Sequence, residues 1–346
     1  MNSSSRILPA EWHRQSAIML TFPHENSDWK YLLDEVETVF LAIAKAVSQF
    51  QPLIISCFDQ NHLKHVEQLL LDHEIPPYRF KLYIIPSNDT WARDHGAICI
   101  YENNQRQILD FTFNGWGNKF DAVLDNQITP NLHKQGAFEN SLLISHHFVL
   151  EGGSIESDGL GTILTTEHCL KSPERNPQFN VQQIEDFLHL WLGAKRVLWL
   201  KHGALEGDDT DSHIDTLARF CDERTIAYQS CEDSKDRHFE ELNAMEKELK
   251  AFRQMNGKPY QLVPLPFPKA KYDYDGQRLP ATYANFLILN DAVLVPTYHD
   301  HADQIALDRL ATCFPQREII GINCSTLIEQ HGSLHCVTMQ IPTEQP

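Results

Sequence analysis

The sequence lacks the features that mark membrane proteins, secreted proteins and small zinc or redox modules. No stretch approaches the roughly 18 uninterrupted apolar residues of a membrane span. The opening residues, MNSSSRILPAEWHRQ, contain no apolar segment of the kind found in a secretory signal. The 8 cysteines occur singly, so neither a zinc ribbon nor a thioredoxin-like C-x-x-C site is indicated. We therefore expect a cytoplasmic protein whose cysteines are mostly free and buried.

Positive charge is also scarce. The chain has 29 Lys and Arg against 47 Asp and Glu, a formal net charge of −18. This balance argues against a nucleic-acid partner or an anionic membrane surface and favours a cationic ligand. The apolar fraction of 42% is ordinary for a globular protein, and 346 residues can bury a substantial core.

Short β-type segments recur along the chain in units of an apolar strand, a polar turn and a second strand. The units begin roughly 50 to 65 residues apart, a spacing typical of repeated supersecondary modules. Helical periodicity separates them, most clearly over residues 28–50, with Asp28 as the predicted N-cap, and over residues 236–255. The sequence thus predicts an α/β protein of modules arranged around a centre.

Four strand–turn junctions carry groups capable of chemistry. The candidates are Cys336, His213, Asp94, Asp215 and Glu151, and they lie in the stretches EQHGSLHCVTMQIP, GDDTDSHIDTLARF, NDTWARDHGA and LEGGSIESDG. HIDTLARF is interpreted as a strand, in which His213 and Asp215 would share a face. Cys336 would stand at the start of another strand. If these loops converge on one cavity, a thiolate could attack a cationic carbon held by carboxylates.

Other interpretations of these residues stay open at this point. His331, His335 and Cys336 are potential zinc ligands, and with the acidic cluster they could form a metal hydrolase. However, H-x3-H-C matches no strong zinc spacing, and DDTDSHID lacks the glycine and glutamate of a calcium loop. Cys336 alone would more often be a core cysteine, and Asp208 and Asp209 could simply hold a turn. Only the joint occurrence of these residues argues for a site.

The whole sequence resembles the agmatine deiminases and the related bacterial peptidyl-arginine deiminases, in the guanidine-modifying pentein superfamily. The resemblance extends from PAEW at residues 9–12 to HGSLHCVTMQIP and includes NDTWARDHGAI, DFTFNGWGNKF, LEGGSIESDGLGTILTTEHCL, GDDTDSHIDTLARF and LPATYANFLILNDAVLVPTYHD. It implies a single catalytic domain over residues 1–346, folded as a five-bladed α/β propeller of ββαβ units. It also implies an axial active site that needs no cofactor or metal, and a possible homo-oligomer.

The resemblance also implies roles for individual residues. Cys336 corresponds to a nucleophile that forms a covalent amidino-thioether, and His213 to the acid/base. Asp94 and Asp215 correspond to the carboxylates that hold the guanidinium group. Such paired carboxylates orient the planar N–H fork of a guanidinium by charge-assisted hydrogen bonds.

Three further residues correspond to supporting positions of the family. Glu151 would orient and polarise the histidine, while Trp91 and Asp209 would contact the alkyl stem and far amine of the substrate. The expected reaction is the conversion of agmatine to N-carbamoylputrescine and ammonia. The alternatives are deimination of peptidyl or free arginine and, from another class, a metal-dependent hydrolase.

The chain departs from the common family motifs beside the expected site. It has WARDHGA where many members have W-M-R-D-[TS]-G-P, and QHGSLHC where they have G-G-G-N-I-H-C; Ser212 replaces the usual glycine before the histidine. These changes leave the five catalytic candidates intact, but they flank the expected substrate pocket and so bear on specificity.

Overall fold

The structure, a computed structural model, describes residues 6–346. It confirms the mixed α/β class. The strands are β1 (Arg6–Ile7), β2 (Gln15–Thr21), β3 (Leu53–Cys57), β4 (Phe80–Ile84), β5 (Ile98–Glu102), β6 (Gln105–Thr112), β7 (Leu142–Val149), β8 (Ile155–Ser157), β9 (Thr162–Thr166), β10 (Arg196–Leu200), β11 (Ala218–Phe220), β12 (Thr225–Gln229), β13 (Gln261–Leu265), β14 (Lys271–Tyr272), β15 (Arg278–Leu279), β16 (Leu287–Ile288), β17 (Ala292–Thr297), β18 (Glu318–Asn323) and β19 (Met339–Pro342).

Helices occupy many of the connections between strands. The α-helices are α1 (Leu33–Phe50), α2 (Gln60–Asp72), α3 (Ala92–His95), α4 (Gly115–Asn118), α5 (Ile128–Lys134), α6 (Glu167–Leu170), α7 (Val181–Leu192), α8 (Phe239–Ala251) and α9 (Asp303–Cys313). Short 3-10 helices lie at Asp28–Tyr31, Pro77–Arg79, Asp125–Gln127, Gly152–Ser154, Ile214–Thr216 and Leu327–Gln330. Within the described part of the chain, no helix is long and apolar enough to cross a membrane.

Five of the sheets share one strand pattern. In each, a central strand pairs antiparallel with one neighbour and parallel with the other; the central strands are β2, β6, β9, β12 and β17. Each parallel partner follows after one or more helices, as a parallel crossover requires. This is the ββαβ repeat that the resemblance implies. Closure of the five sheets into a propeller, and the single domain, stay predictions.

The apolar core is divided into three clusters. The largest lies among β2, β3, β17, α1 and α9, the second among β5, β6, α5 and α7, and the third among β10, β12 and α8. In α1 the buried residues Val36, Val39, Phe40 and Ile43 follow the predicted three- and four-residue spacing. The parallel strand β3 is buried throughout, as expected where helices cover a sheet.

Both predicted helices exist, but their ends were wrong. The segment at 28–50 is broken, because Ser27 rather than Asp28 caps a separate 3-10 helix through a hydrogen bond from Trp29 N to Ser27 Oγ (3.4 Å), and α1 begins only at Leu33. The helix predicted over residues 236–255 is shorter in the structure, where it is α8.

The strand predicted for HIDTLARF was also wrong in its first half. Residues Ile214–Thr216 form a 3-10 helix, and the strand is only β11. The hydroxyl of Thr216 donates to the carbonyl of His213 (2.9 Å), and Leu217 N donates to the carbonyl of Ile214 (3.0 Å). Such local hydrogen bonds compete with a strand. His213 and Asp215 therefore do not share a face through strand alternation.

Cys336 does not begin a strand either, contrary to the prediction. It lies in a turn before β19, where the Thr338 hydroxyl bonds the carbonyls of Leu334 (3.2 Å) and His335 (3.0 Å). The turn places the thiol beside loops of other sheets.

Candidate active site

The predicted catalytic residues come from four separated connections. Asp94 lies in α3 between β4 and β5, and Glu151 follows β7 directly. His213 is the N-cap of the 3-10 turn before β11, Asp215 lies within that turn, and Cys336 precedes β19. All five side chains are buried.

The Cys336 thiol faces a carboxylate and an amide. Its Sγ lies 3.9 Å from Asp215 Oδ2 and 3.4 Å from Asn285 Oδ1, and its backbone N–H donates to the same Asn285 oxygen (3.3 Å). Burial raises the pKa of the Cys336 thiol well above its ordinary value, and the charges of Asp215 and Asp94 raise it further. The thiol is therefore protonated at neutral pH.

Asp215 is held on one side and free on the other. Its Oδ2 accepts a hydrogen bond from His335 Nδ1 (2.8 Å), whereas its buried Oδ1 has no hydrogen-bond partner within residues 6–346. Burial acts to raise the pKa of Asp215, but the hydrogen bond from His335 outweighs it and keeps the carboxyl ionised. An unpartnered buried carboxylate oxygen is costly, so it indicates a place for a donor ligand.

His335 connects Asp215 to a second buried acid. The Nε2 of His335 lies 2.8 Å from Glu11 Oε1 and 3.0 Å from Arg219 Nη2, and Arg219 also pairs with Glu11. Burial and the neighbouring arginines lower the pKa of His335. Its Nδ1 donates to Asp215, while Nε2 faces both a carboxylate oxygen of Glu11 and the guanidinium of Arg219.

Asp94 and His213 form a second pair. Their Oδ1 and Nδ1 atoms lie 3.5 Å apart, and Asp94 also accepts from Gly153 N (2.9 Å) and from Trp116 Nε1 (3.0 Å). Burial raises the pKa of Asp94 to about 6. Burial lowers the pKa of His213, but Asp94 and Cys169 outweigh it and hold that pKa well above the ordinary value. His213 is thus an imidazolium at neutral pH.

Gly153 shows how closely these groups converge. A Cβ atom added to Gly153 would lie 2.6 Å from His213 Nδ1, 2.8 Å from Asp94 Oδ1 and 3.1 Å from Asp215 Oδ2. The imidazole and both carboxylates therefore surround one point, and only glycine leaves it free.

Glu151 is fixed by an arginine that the sequence interpretation did not single out. Arg175 Nε donates to both carboxylate oxygens (2.8 and 3.1 Å), and its remaining nitrogens bond Asp211 Oδ2 (2.6 Å) and the carbonyl of Thr210 (2.8 Å). One Glu151 oxygen lies within 4.8 Å of a His213 ring nitrogen. That Glu151 orients His213 stays a prediction.

One group of possible metal ligands occurs in the described chain: Glu151, Cys169 and His213, whose donor atoms lie within 4.8 Å of one another. The Arg175 guanidinium already occupies both Glu151 oxygens, and its charge opposes a cation there. The alternative zinc set is not gathered, because His331 bonds the carbonyl of Gly207 while His335 bonds Asp215.

A cavity of about 240 Å³ leads to the thiol. Its charged lining is acidic, with Asp28, Asp89, Asp94, Asp209 and Glu329 and no lysine or arginine. Burial raises the pKa of Asp89 to about 7 and that of Asp209 to about 6. A cavity whose lining carries carboxylates but neither lysine nor arginine favours a cationic ligand.

Aromatic side chains give the cavity its shape. Trp91 and Trp116 both line it, with ring centroids 6.4 Å apart, and Trp91 is anchored by a hydrogen bond from Nε1 to Asp89 Oδ2 (2.9 Å). A side chain at Gly332 would overlap the Trp91 ring. The indole and the backbone of Gly332 are thus in close contact in the wall of the cavity that Cys336 also lines.

Trp116, Asn285, Arg175 and His335 were not predicted as site residues. The sequence offered one signal for Trp116, which lies between two glycines. In the structure its backbone is left-handed (φ 54°), a conformation that a bulky residue adopts only when its surroundings fix it. Asn285 lies in the matching stretch LPATYANFLIL but has no distinguishing neighbour.

The site contains a buried thiol, an imidazolium and two carboxylates, and it lies at the end of an acidic cavity. These features define a thiol-containing centre for a small cation. The family model for the Porphyromonas-type peptidyl-arginine deiminases matches residues 7–342. The chain belongs to this family.

Individual relatives agree over nearly the whole length. A candidate agmatine deiminase from Legionella pneumophila is 32% identical over 342 residues, covering 97% of this chain and 94% of that protein. The structure of a candidate arginine deiminase from Porphyromonas gingivalis is 53% identical with a TM-score of 0.92, covering 98% and 99% of the two chains. A substrate-bound cysteine-to-serine variant of the C. jejuni agmatine deiminase is 39% identical with a TM-score of 0.92, covering 100% and 99%.

Proposed function

We propose that this protein hydrolyses the guanidinium group of agmatine to N-carbamoylputrescine and ammonia through a covalent amidino-cysteine intermediate. The observation that carries this proposal is the unpartnered Oδ1 of Asp215, buried beside the Cys336 thiol at the end of an acidic cavity. A planar cation that offers N–H donors satisfies that oxygen, and the carboxylate of Asp94 faces it from another connection.

Substrate binding activates the nucleophile. Without a cation, Asp215 and Asp94 disfavour the thiolate of Cys336. A guanidinium held between the two carboxylates cancels their charge, so the thiol loses its proton as it meets the electrophilic carbon. The enzyme is thereby reactive only when the correct cation is bound.

The first chemical step forms the bond between Cys336 Sγ and the guanidinium carbon and breaks one C–N bond. The thiol proton ends on the departing nitrogen, with the His213 imidazolium supplying a proton there and regaining one from the thiol. Ammonia takes up the proton of His213 and departs as ammonium, which leaves His213 neutral and a positively charged amidino-thioether on Cys336.

The second step replaces sulfur by oxygen. Neutral His213 takes a proton from water as the oxygen attacks the same carbon, and the C–S bond breaks to regenerate the thiol. The ureido product leaves, and the proton taken from water restores the imidazolium of His213. Glu151, held by Arg175, supports the charged form of His213.

The far end of the cavity favours agmatine over free arginine. Trp91 contacts the alkyl stem, and Asp209, Asp89 and Glu329 lie where a terminal ammonium would be attracted. The carboxylate of free arginine would lie near these acidic side chains, at a cost of electrostatic repulsion. The C. jejuni relative named as an agmatine deiminase supports this choice; the family description and the P. gingivalis relative make peptidyl or free arginine the second candidate.

The test combines mass spectrometry and substrate comparison. Acid quenching during turnover of agmatine should trap an amidino adduct on Cys336, and Cys336→Ser should form none. Ammonia release should favour agmatine over arginine and an arginyl peptide by at least about tenfold, the scale of discrimination that one unpaired charge produces. Equal or greater activity on arginine would overturn the choice of substrate, and the absence of an adduct would overturn the mechanism.

A further inference from the structure

His331 lies between two cavities. It lines the cavity that leads to Cys336, and it also lines a larger neighbouring cavity of about 570 Å³, bounded by Glu206, Gly207, Asp236, Arg237 and Arg278. The two spaces therefore approach each other at this side chain.

A hydrogen bond holds the imidazole in this place. His331 Nδ1 lies 2.8 Å from the carbonyl of Gly207, which belongs to the wall of the larger cavity. Asp209 and Thr210, shortly after Gly207 in the chain, line the smaller one. The bond thus joins the connection before His213 to the connection before Cys336, at a side chain that lines both cavities.

The backbone of His331 is strained. Its φ is 66°, in the left-handed region that a residue with a Cβ atom rarely adopts. The left-handed residue ends the 3-10 helix Leu327–Gln330, and the hydrogen bond to Gly207 fixes its side chain. Replacement by glycine relieves the strain, so removal of the ring does not itself threaten the fold.

The two cavities differ in charge. The smaller has carboxylates and no lysine or arginine, whereas the larger contains paired charges: Arg278 with Asp236 (2.8 Å) and Arg237 with Glu206 (2.9 Å). The larger cavity, in which the charges are paired, suits the polar, uncharged groups of a peptide backbone better than a terminal ammonium.

We propose that His331 is a specificity-determining partition: its ring ends the substrate cavity and excludes guanidines whose far end continues as a peptide, and the larger cavity would accept that extension once the ring is removed. The inference rests on the proposed deiminase function and concerns the same site.

The experiment compares agmatine with the tripeptide glycyl-arginyl-glycine in the wild-type protein and in His331→Gly. The ratio of kcat/KM for the tripeptide to that for agmatine should rise at least about tenfold in the variant, the scale of a relieved steric exclusion. His299→Gly is the matched control. It makes the same change at a left-handed position (φ 52°) on an exposed residue outside both cavities, so it should leave the ratio unchanged.

His331→Asn provides a second variant, since asparagine tolerates the left-handed region and keeps a donor for Gly207. It should give an intermediate ratio. An unchanged ratio in both variants would overturn the partition, as would a wild-type preference for the tripeptide. A wild-type protein inactive on both compounds would instead overturn the proposed function.

Discussion

At the scale of single residues, the protonation of Cys336 decides how the site is activated. Burial and the two neighbouring carboxylates raise its pKa. In the free enzyme, alkylation of Cys336 by iodoacetamide should therefore keep accelerating as the pH rises beyond about 8.5, the ordinary thiol value. Quantification of the labelled peptide by mass spectrometry measures this profile.

Asp94→Asn should move the alkylation profile to lower pH, because loss of a nearby negative charge favours the thiolate. Asp110→Asn is the control, since Asp110 is a half-buried carboxylate bonded to Ser145 and is not among the groups that shift the thiol pKa. A profile that levels off below about 8.5 would instead indicate a preformed thiolate paired with His213.

His335 keeps Asp215 ionised on the acidic side of the pH profile, where Asp94 protonates first. Its hydrogen bond keeps the pKa of Asp215 below the ordinary value, so the ionised carboxylate survives as the pH falls. His335→Ala removes the donor, raises that pKa and should move the acid limb of kcat/KM to higher pH. At a fixed pH on that limb, activity should fall about tenfold for every pH unit by which the limb moves.

His335→Asn should return the acid limb of kcat/KM to its wild-type pH, because the asparagine amide can donate to Asp215 from the position of Nδ1. Measuring kcat/KM for agmatine between pH 5 and pH 8 distinguishes this role from a purely structural one. An acid limb that stays in place in His335→Ala would count against it.

The sequence predicted the candidate reacting groups but not the side chains that contact them. Cys336, His213, Asp94 and Asp215 each stand in a conspicuous motif, and the structure brings all four close together. Asn285 and Trp116 act through partners 51 and 22 residues away, a relation that no local pattern reveals.

At the scale of elements, the 3-10 turn Gly152–Ser154 brings its backbone against the reacting groups. Gly153→Ala would push a methyl group into His213, Asp94 and Asp215, so kcat for agmatine should fall at least about a hundredfold through misplaced groups. Steady-state kinetics measure this effect, and thermal unfolding reports whether the fold survives.

Gly276→Ala is the matched control. Gly276 has a left-handed φ of 78° and open space around it, so the substitution should cost about 1 kcal/mol of backbone strain without affecting kcat. Comparable kinetics in the two variants would argue against a packing role for Gly153.

Element types were more predictable than element ends. Apolar periodicity located α1 and the buried strands, because packing against a core imposes it. The turn at Ile214–Thr216 escaped prediction, since the Thr216 hydroxyl, which stabilises it, is equally compatible with a strand. The pairing of strands within the sheets depends on segments that are distant in sequence. It could be predicted only through the resemblance to a known family.

At the scale of the whole molecule, binding of a cation should change the proton balance of the acidic cavity. The pKa values of Asp89, Asp209 and Asp94 are raised to about 7, 6 and 6, so these carboxyls hold protons near pH 6 that ordinary carboxyls would have lost. A cation favours their ionised forms, and agmatine binding should therefore release protons.

Isothermal titration calorimetry in buffers of different ionisation enthalpy measures that release, with Cys336→Ser used to prevent turnover. Release should be greatest near pH 6 and disappear above pH 8, where the groups are already ionised. Asp89→Asn should lower it. Proton uptake, or no exchange near pH 6, would contradict the raised pKa values.

The last strand of the fold has a consequence for biosynthesis. β19 pairs with β2, so Met339 lies opposite Met19 although the two residues are near opposite ends of the sequence. A ribosome releases the acids and the histidine of the centre first, and the cysteine only shortly before β19 emerges. Because β2 and β19 come from opposite ends of the sequence, the sheet that follows Cys336 is completed only when the last strand has been synthesised.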